Sequence, residues 1–160
     1  DAQLNTTKMK NTGMVVTTDV GNPNDIHPRN KKTVGERLAN LALKNGLKSP
    51  IYQKSTVKGN KITISFNTKE KLISKNNEIL KGFEIAGNDQ KFYPAKAEIK
   101  KNKIVVTCEK VSNPVAVRYG WKGDDSEINL FTEKGLPIAP FRTDSFKLST
   151  ENKKYQFELK

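Results

Sequence analysis

Short segments of alternating apolar and polar residues recur from residue 49 onward, with glycine, asparagine or proline residues between them. Residues 61–66 (KITISF) alternate strictly, and the turn residues 59–60 join them to 56–58 as a hairpin. Further strands are predicted at 82–86, 92–99, 104–108, 114–119 and 155–159. About seven or eight short strands at this spacing predict a mostly β fold, an antiparallel two-sheet β-sandwich over residues 49–160.

The first 48 residues follow the pattern of an α/β fold instead. Residues 13–20 (GMVVTTDV) are rich in β-branched side chains and carry no charge before Asp19, as in a strand buried on both faces of a parallel sheet. Pro50 marks the end of this pattern, so a domain boundary is predicted between residues 48 and 49. Residues 1–48 are expected to be the last strand and helix of an α/β domain, because one strand and one helix cannot close a core.

An amphipathic helix is predicted over residues 31–45. Four apolar side chains recur there at helical spacing: Val34, Leu38, Leu41 and Ala42. Thr33 and Glu36 fit a capping box at its start, and Gly46 is placed where a left-handed C-cap residue belongs.

The charge composition limits the kinds of binding partner that are expected. Lys and Arg number 29 against 17 Asp and Glu, a formal net charge of +12. The arginines are few and far apart in sequence: Arg29, Arg37, Arg118 and Arg142. Because nucleic-acid-binding proteins usually cluster arginine and lysine on one face, a lysine-rich exterior is favoured over nucleic-acid binding. No apolar run reaches the roughly 18 residues of a membrane span, so no membrane insertion is expected.

The chain has a single cysteine and a single histidine. Cys108 continues the alternation of Ile104 and Val106 on one side of a predicted strand, which predicts a buried thiol. One histidine and one cysteine far apart cannot form a zinc site of usual spacing, and no calcium-type loop is present. We therefore expect neither a metal nor a cofactor.

The histidine, His27, lies in a polar loop at residues 24–28 (NDIHP), between the predicted strand and the predicted helix. In α/β enzymes the reacting groups gather in such loops. A histidine can take a proton from a serine hydroxyl while a carboxylate, here Asp25 or Asp19, fixes its tautomer. The alternative is that His27 only orders the loop and Asp25 is a solvated acid.

Residues 15–39 (VVTTDVGNPNDIHPRNKKTVGERLA) closely resemble the last conserved block of sialate O-acetylesterases, which are serine hydrolases of the SGNH type with a flavodoxin-like sheet. Further blocks resemble the β-rich C-terminal region of the same enzymes, at residues 80–87, 92–97, 113–121 and 135–144. Matching blocks in the same order are more specific than a lone short motif. The resemblance implies a secreted or periplasmic enzyme that hydrolyses acetyl esters on sialic acids or related glycans.

The resemblance also implies catalytic roles: His27 as general acid and base, with Asp25 to orient it. Many SGNH hydrolases carry the acid three residues before the histidine, where this chain has Asn24, so a Ser-His dyad supported by a backbone carbonyl remains open. The serine of this family lies in an N-terminal Gly-Asp-Ser or Gly-Gln-Ser block. Ser126, in GDDS at 123–126, lacks the preceding buried strand and is interpreted as a loop residue. We expect an N-terminal part of the same enzyme to supply the nucleophile, and this chain alone to be inactive.

Aromatic residues among glycines and prolines suggest a sugar-binding surface in the β region. Tyr119 and Trp121 could stack on a pyranose, and Arg118 could hold the carboxylate of a sialic acid. The alternatives are that the rings fill the core and that Arg118 pairs internally with Asp144 or Glu127. The second hypothesis for the whole chain is a non-enzymatic carbohydrate-binding β-sandwich module.

Overall fold

The computed structural model describes residues 1–27, 29–43, 47–123, 127–149 and 151. Within them lie the α-helices α1 (Ala2–Thr6) and α2 (Lys31–Ala42) and a short 3-10 helix at Lys75–Asn77. The strands are β1 (Tyr52–Lys58), β2 (Lys61–Phe66), β3 (Leu72–Ser74), β4 (Phe83–Ala86), β5 (Phe92–Pro94), β6 (Lys96–Lys100), β7 (Lys103–Thr107), β8 (Ala116–Tyr119), β9 (Leu130–Thr132) and β10 (Phe141–Arg142). The fold is mostly β, as the sequence predicts.

The strands form two four-stranded antiparallel sheets and one two-stranded ribbon. The first sheet has the order β1-β2-β7-β6, the second has the order β10-β8-β4-β5, and the ribbon pairs β3 with β9. The predicted hairpin is present, since Lys58 pairs with Lys61 and Val57 with Ile62. Gly59 at its tip has a φ of 57°, a conformation that glycine adopts without a steric penalty.

One apolar core is shared by the two sheets. Its members from the first sheet include Ile62, Ile64, Ile104 and Val106, and those from the second include Phe83, Ile85, Val117, Tyr119 and Phe141. Along β2, Ile62, Ile64 and Phe66 are buried, while the polar residues between them are half-buried. This alternation is what a strand with one face on the core requires, and the predicted sandwich is confirmed.

Helix α2 forms where it is predicted, but a different residue caps it. The helix begins at Lys31, and the side chain of Asn30 accepts a hydrogen bond from the backbone N–H of Thr33 at 3.1 Å. The predicted capping box is therefore wrong, because the N-cap is Asn30 and Thr33 lies inside the first turn of the helix. The predicted C-cap at Gly46 and the predicted strand at 155–159 lie outside the described residues.

The predicted strand at residues 13–20 is not formed. The segment belongs to none of the sheets in the described part of the chain, and only Val16 within it is buried. A strand needs neighbouring strands to pair with its backbone. Here the carbonyl of Val16 instead accepts a hydrogen bond from the Arg37 side chain on α2, at 2.6 Å.

The chain passes into the sandwich at Pro50. This proline is buried, and its carbonyl accepts a hydrogen bond from the backbone N–H of Ala139 at 3.0 Å. Pro50 thus belongs structurally to the β region. The division into domains of residues 1–48 and 49–160 stays a prediction.

Candidate active site

His27 lies on the segment that joins the irregular residues 13–20 to helix α2. Its side chain is 87% exposed, so the imidazole is open to solvent and not sealed inside the fold. A general base must reach the proton that it abstracts, and this position leaves the ring accessible to a second group.

Short polar side chains fold the loop around His27. The Asn22 side chain accepts a hydrogen bond from the backbone N–H of Asn24 at 3.0 Å, and Asp25 Oδ1 accepts one from the backbone N–H of His27 at 2.8 Å. Both are Asx turns, in which an Asn or Asp side chain caps the backbone two residues further on. The sequence Asn-Pro-Asn-Asp thus builds the turn that presents the histidine.

Asp25 is placed beside the imidazole without a hydrogen bond to it. The distance from His27 Nδ1 to Asp25 Oδ1 is 3.8 Å, beyond the roughly 3.2 Å limit of a good N–H···O bond. In this arrangement the carboxylate holds the main chain of His27 and remains next to its ring. Both residues of the predicted pair are therefore neighbours in space.

The other carboxylate near the loop is engaged elsewhere. Asp19 accepts two hydrogen bonds of 2.6 Å from Arg37, one from Nη1 to Oδ1 and one from Nη2 to Oδ2. This bidentate pair commits both oxygens of Asp19. Of the two carboxylates that the sequence offered, Asp25 is the one adjacent to His27.

Tyr119 does not line a binding surface, and its predicted contact with a sugar is wrong. It is fully buried, its ring centroid lies 4.5 Å from that of Phe83, and its hydroxyl accepts a hydrogen bond from the backbone N–H of Leu130 at 3.1 Å. The alternative, that this ring fills the sandwich core, is what the structure shows.

Arg118 forms an internal ion pair, and its predicted contact with a substrate carboxylate stays a prediction. Its Nε and Nη2 donate hydrogen bonds to Asp144 at 3.0 and 2.9 Å, and its guanidinium lies 4.0 Å from the centroid of the Phe92 ring. The Asp144 side chain is 1% exposed. The internal ion pair, given as the alternative, is thus present.

The environment of Asp144 favours its ionised form. Burial acts to raise the pKa of this carboxyl, but hydrogen bonding and charge from Arg118, a hydrogen bond from the Phe146 backbone and the charge of Arg142 outweigh it. The pKa of Asp144 is therefore held below its ordinary value.

Trp121 is the one of the three predicted substrate-binding residues that borders an open cleft. It is half-buried, and the cleft of about 370 Å³ beside it is also lined by Gly82, Glu84, Gly120 and Lys122. Arg118 and Arg142 lie 5.6 and 5.8 Å from the centroid of its ring. Its role in sugar binding stays a prediction.

Arg37 is the residue at this site that the sequence does not single out. It is the one arginine on α2, but its carboxylate partner, Asp19, lies 18 positions earlier. No local spacing rule links residues that far apart. The signal that was present is a lone arginine among lysines on an amphipathic helix, because arginine is the residue favoured for bidentate pairs.

The residues that the structure describes contain no group of three or more His, Cys, Asp and Glu placed to hold a metal ion. None of the helices in that part of the chain is long and apolar enough to cross a membrane.

The chain matches no protein-family model and no curated protein sequence. Among solved structures it is similar to the crystal structure of a carbohydrate acetylesterase from Xanthomonas citri, with a TM-score of 0.84 and 38% sequence identity. The alignment covers 91% of this chain and 35% of that chain. The chain therefore spans about a third of the length of the protein that it resembles.

Proposed function

We propose that this chain is the C-terminal part of a carbohydrate O-acetylesterase in which His27 is the general acid and base. The observation that carries this proposal is the similarity to the Xanthomonas citri carbohydrate acetylesterase over 91% of the chain, at 38% identity. An exposed imidazole with a carboxylate 3.8 Å from its Nδ1 atom supports the catalytic role.

The reaction begins at a serine from an N-terminal part of the same enzyme. His27 takes the proton of the serine hydroxyl as its oxygen attacks the acetyl carbonyl, and then gives that proton to the sugar oxygen that leaves. In the second step the same imidazole takes a proton from water as the water attacks the acetyl-serine, and returns that proton to the serine oxygen as acetate is released. Asp25 orients the ring and stabilises its protonated form.

The substrates that we propose are acetyl esters of sialic acids or related glycans, and the enzyme type is an SGNH hydrolase. Residues 15–39 support both, through their resemblance to the last block of sialate O-acetylesterases. The same resemblance supports a secreted or periplasmic location.

The surface of the first 48 residues supports an N-terminal partner. Of the large apolar side chains exposed in the described part of the chain, five lie there: Met9, Ile26, Leu38, Leu43 and Leu47. Ile26, next to His27, is 89% exposed. Apolar side chains concentrated in one segment are typical of a surface that another part of the protein covers.

The second candidate function is that of a non-enzymatic carbohydrate-binding module. The cleft of about 370 Å³ beside Trp121 favours it, because an aromatic ring next to polar groups is a common sugar subsite. In that case the chain binds the glycan and takes no part in ester cleavage.

The deciding experiment joins this chain to its N-terminal part and measures acetate release from an O-acetylated sialic acid. We expect His27→Ala to lower kcat by at least about 1,000-fold, since the histidine serves both steps. Lys32→Ala, an exposed change on α2, is the matched control and should keep full activity. Because the His27 ring is exposed, both variants should unfold like the unmodified chain.

The outcomes separate the two functions. Unchanged turnover in His27→Ala would refute the catalytic role. Glycan binding without acetate release, and its loss in Trp121→Ala, would establish the binding module instead.

A further inference from the structure

Arg37 connects the segment that precedes the His27 loop to helix α2, which follows the loop. From the middle of α2 its guanidinium donates to the Val16 carbonyl and to both carboxylate oxygens of Asp19, each at 2.6 Å. The side chains of Arg37 and Asp19 are only 11% and 15% exposed, although Asp19 as a whole residue is exposed. The two charged groups are therefore largely covered.

The position of this contact lets it restrict the conformations of the His27 loop. His27 lies between the two partners in sequence, eight residues after Asp19 and four residues before the start of α2. Closing a loop at its base removes many of its conformations. The planar fork of an arginine, bound at both oxygens of a carboxylate, fixes the orientation of the two sides as well as their separation.

The other hydrogen bonds of the loop do not replace the contact between Arg37 and Asp19. The Asx turns at Asn22 and Asp25 set the local path of the chain, but they are internal to the loop and cannot fix it relative to α2. The Asn30 cap fixes only the residue at which the helix begins. Among the described hydrogen bonds, those of Arg37 connect the incoming segment to the helix, and Leu41 of the helix also packs against Gly13.

We propose that Arg37, through its bidentate pair with Asp19, is a positioning residue that holds the His27 loop in register with the catalytic serine. This inference rests on the proposed esterase function and adds to it a residue that acts without touching the substrate. The requirement is for arginine geometry, because a lysine at the same place keeps the charge but cannot bind both oxygens in one plane.

The test uses the complete enzyme, with Arg37→Lys, Arg37→Met and Asp19→Asn measured for kcat and KM on the acetylated glycan. We expect kcat to fall about 10- to 100-fold in each, while KM changes by less than about threefold, because a base displaced by about an ångström is poorly aligned for proton transfer. Glu36→Gln is the control, since Glu36 on the same helix pairs with exposed Lys32 at 3.8 Å.

A double variant checks that the two residues act as a unit. Asp19→Asn with Arg37→Met should lower kcat no further than either change alone, because each already removes the same contact. Asp19→Asn is nearly isosteric, so it reports on positioning even if Arg37→Met folds poorly.

The chain also offers a direct readout of the loop. His27 is the one histidine of the sequence, so its ring protons give NMR signals that need no assignment among other histidines. In Arg37→Lys we expect these signals to shift or broaden while the amide signals of the β-sandwich stay in place. Such a local change is not expected if Arg37 merely stabilised the whole fold.

The results distinguish the failure of this inference from that of the proposed function. If His27→Ala is inactive but Arg37→Lys and Asp19→Asn keep the unmodified kcat, the positioning role is wrong and the esterase proposal stands. If His27→Ala remains active, the proposed function is refuted and the positioning role with it.

Discussion

The Asp25 oxygen that accepts a hydrogen bond from the backbone N–H of His27, at 2.8 Å, lies 3.8 Å from Nδ1 of the same histidine. The first contact is a full hydrogen bond, whereas the second is about 0.6 Å longer than such a bond allows. One carboxylate oxygen therefore folds the loop and faces the imidazole at the same time. A small movement of the exposed ring would let Asp25 orient it.

This geometry makes Asp25 the expected third member of the catalytic group. Asp25→Asn keeps the side-chain oxygen that closes the Asx turn and removes the charge that stabilises the imidazolium. We expect the kcat of the complete enzyme to fall by about 100-fold or more, as loss of the orienting carboxylate costs up to about 10⁴-fold in serine hydrolases. Acetate release at saturating substrate measures it.

Asn24→Ala is the control for Asp25, because the contact that Asn24 makes in the turn uses its backbone N–H. It should retain activity within about twofold of the unmodified enzyme. Full activity in Asp25→Asn would instead favour the Ser-His dyad, with a backbone carbonyl as the partner of the ring.

A second prediction concerns Asp144, the buried carboxylate between Arg118 and Arg142. Asp144→Asn removes the counter-charge of Arg118 and leaves Arg142 with Asp1 as its carboxylate partner, which we expect to lower the free energy of unfolding by about 3 kcal/mol at neutral pH. Urea unfolding of the chain measures this change. Glu98→Gln is the control, because Glu98 pairs with exposed lysines at the surface and its loss should have no measurable effect.

The pH dependence of that difference follows from the lowered pKa of Asp144. A carboxyl whose pKa is lower in the folded state stabilises the protein above its unfolded pKa and loses this effect as pH falls through its folded pKa. The gap between the unmodified chain and Asp144→Asn should therefore narrow below about pH 4. A gap that is constant from pH 7 to pH 2 would contradict the ion pair as its source.

The strands that the sequence predicts are those whose burial follows from local alternation. Strand β2 is an example, since Ile62, Ile64 and Phe66 face the core in turn. Strand β9 (Leu130–Thr132) escapes prediction because all three of its residues are buried and show no alternation. Strand β10 has two residues, which is too short for any period to be read.

The predicted strand at 92–99 shows a second feature that the sequence pattern does not reveal. It is two strands, because β5 pairs with β4 in the second sheet and β6 pairs with β7 in the first. The chain crosses between the sheets at Ala95, whose N–H donates to the Phe83 carbonyl at 2.9 Å. Such a crossing depends on partners distant in sequence, which local alternation cannot reveal.

The two aromatic residues of the predicted sugar site, Tyr119 and Trp121, differ in burial because of the local chain path. Val117 and Tyr119 lie two residues apart on β8, so the burial of one predicts the burial of the other. Gly120, with a φ of 58°, ends this alternation and turns the chain before Trp121. The sequence could therefore have excluded Tyr119 from a binding surface, but the turn that leaves Trp121 half-buried needed the structure.

A third prediction tests the apolar surface of α2. Leu38→Ser should change the free energy of unfolding of the chain alone by less than about 0.5 kcal/mol, because Leu38 is already exposed. With the N-terminal part supplied as a separate polypeptide, the same change should weaken association about tenfold, through loss of buried apolar area. Titration followed by acetate release measures it, and Val57→Ser, an exposed change on β1, is the control.

The last prediction concerns the hydroxyl of Tyr119, which accepts the backbone N–H of Leu130 at 3.1 Å inside the core. Tyr119→Phe leaves that buried N–H without this acceptor, and we expect the free energy of unfolding to fall by about 1–2 kcal/mol. Urea unfolding measures it, with Tyr52→Phe as the control, because the Tyr52 hydroxyl is hydrogen-bonded to the side chain of half-buried Ser55. Glycan binding should be unchanged in Tyr119→Phe, since its ring lies in the core. Unchanged stability together with weaker glycan binding would return Tyr119 to the surface role that the sequence first suggested.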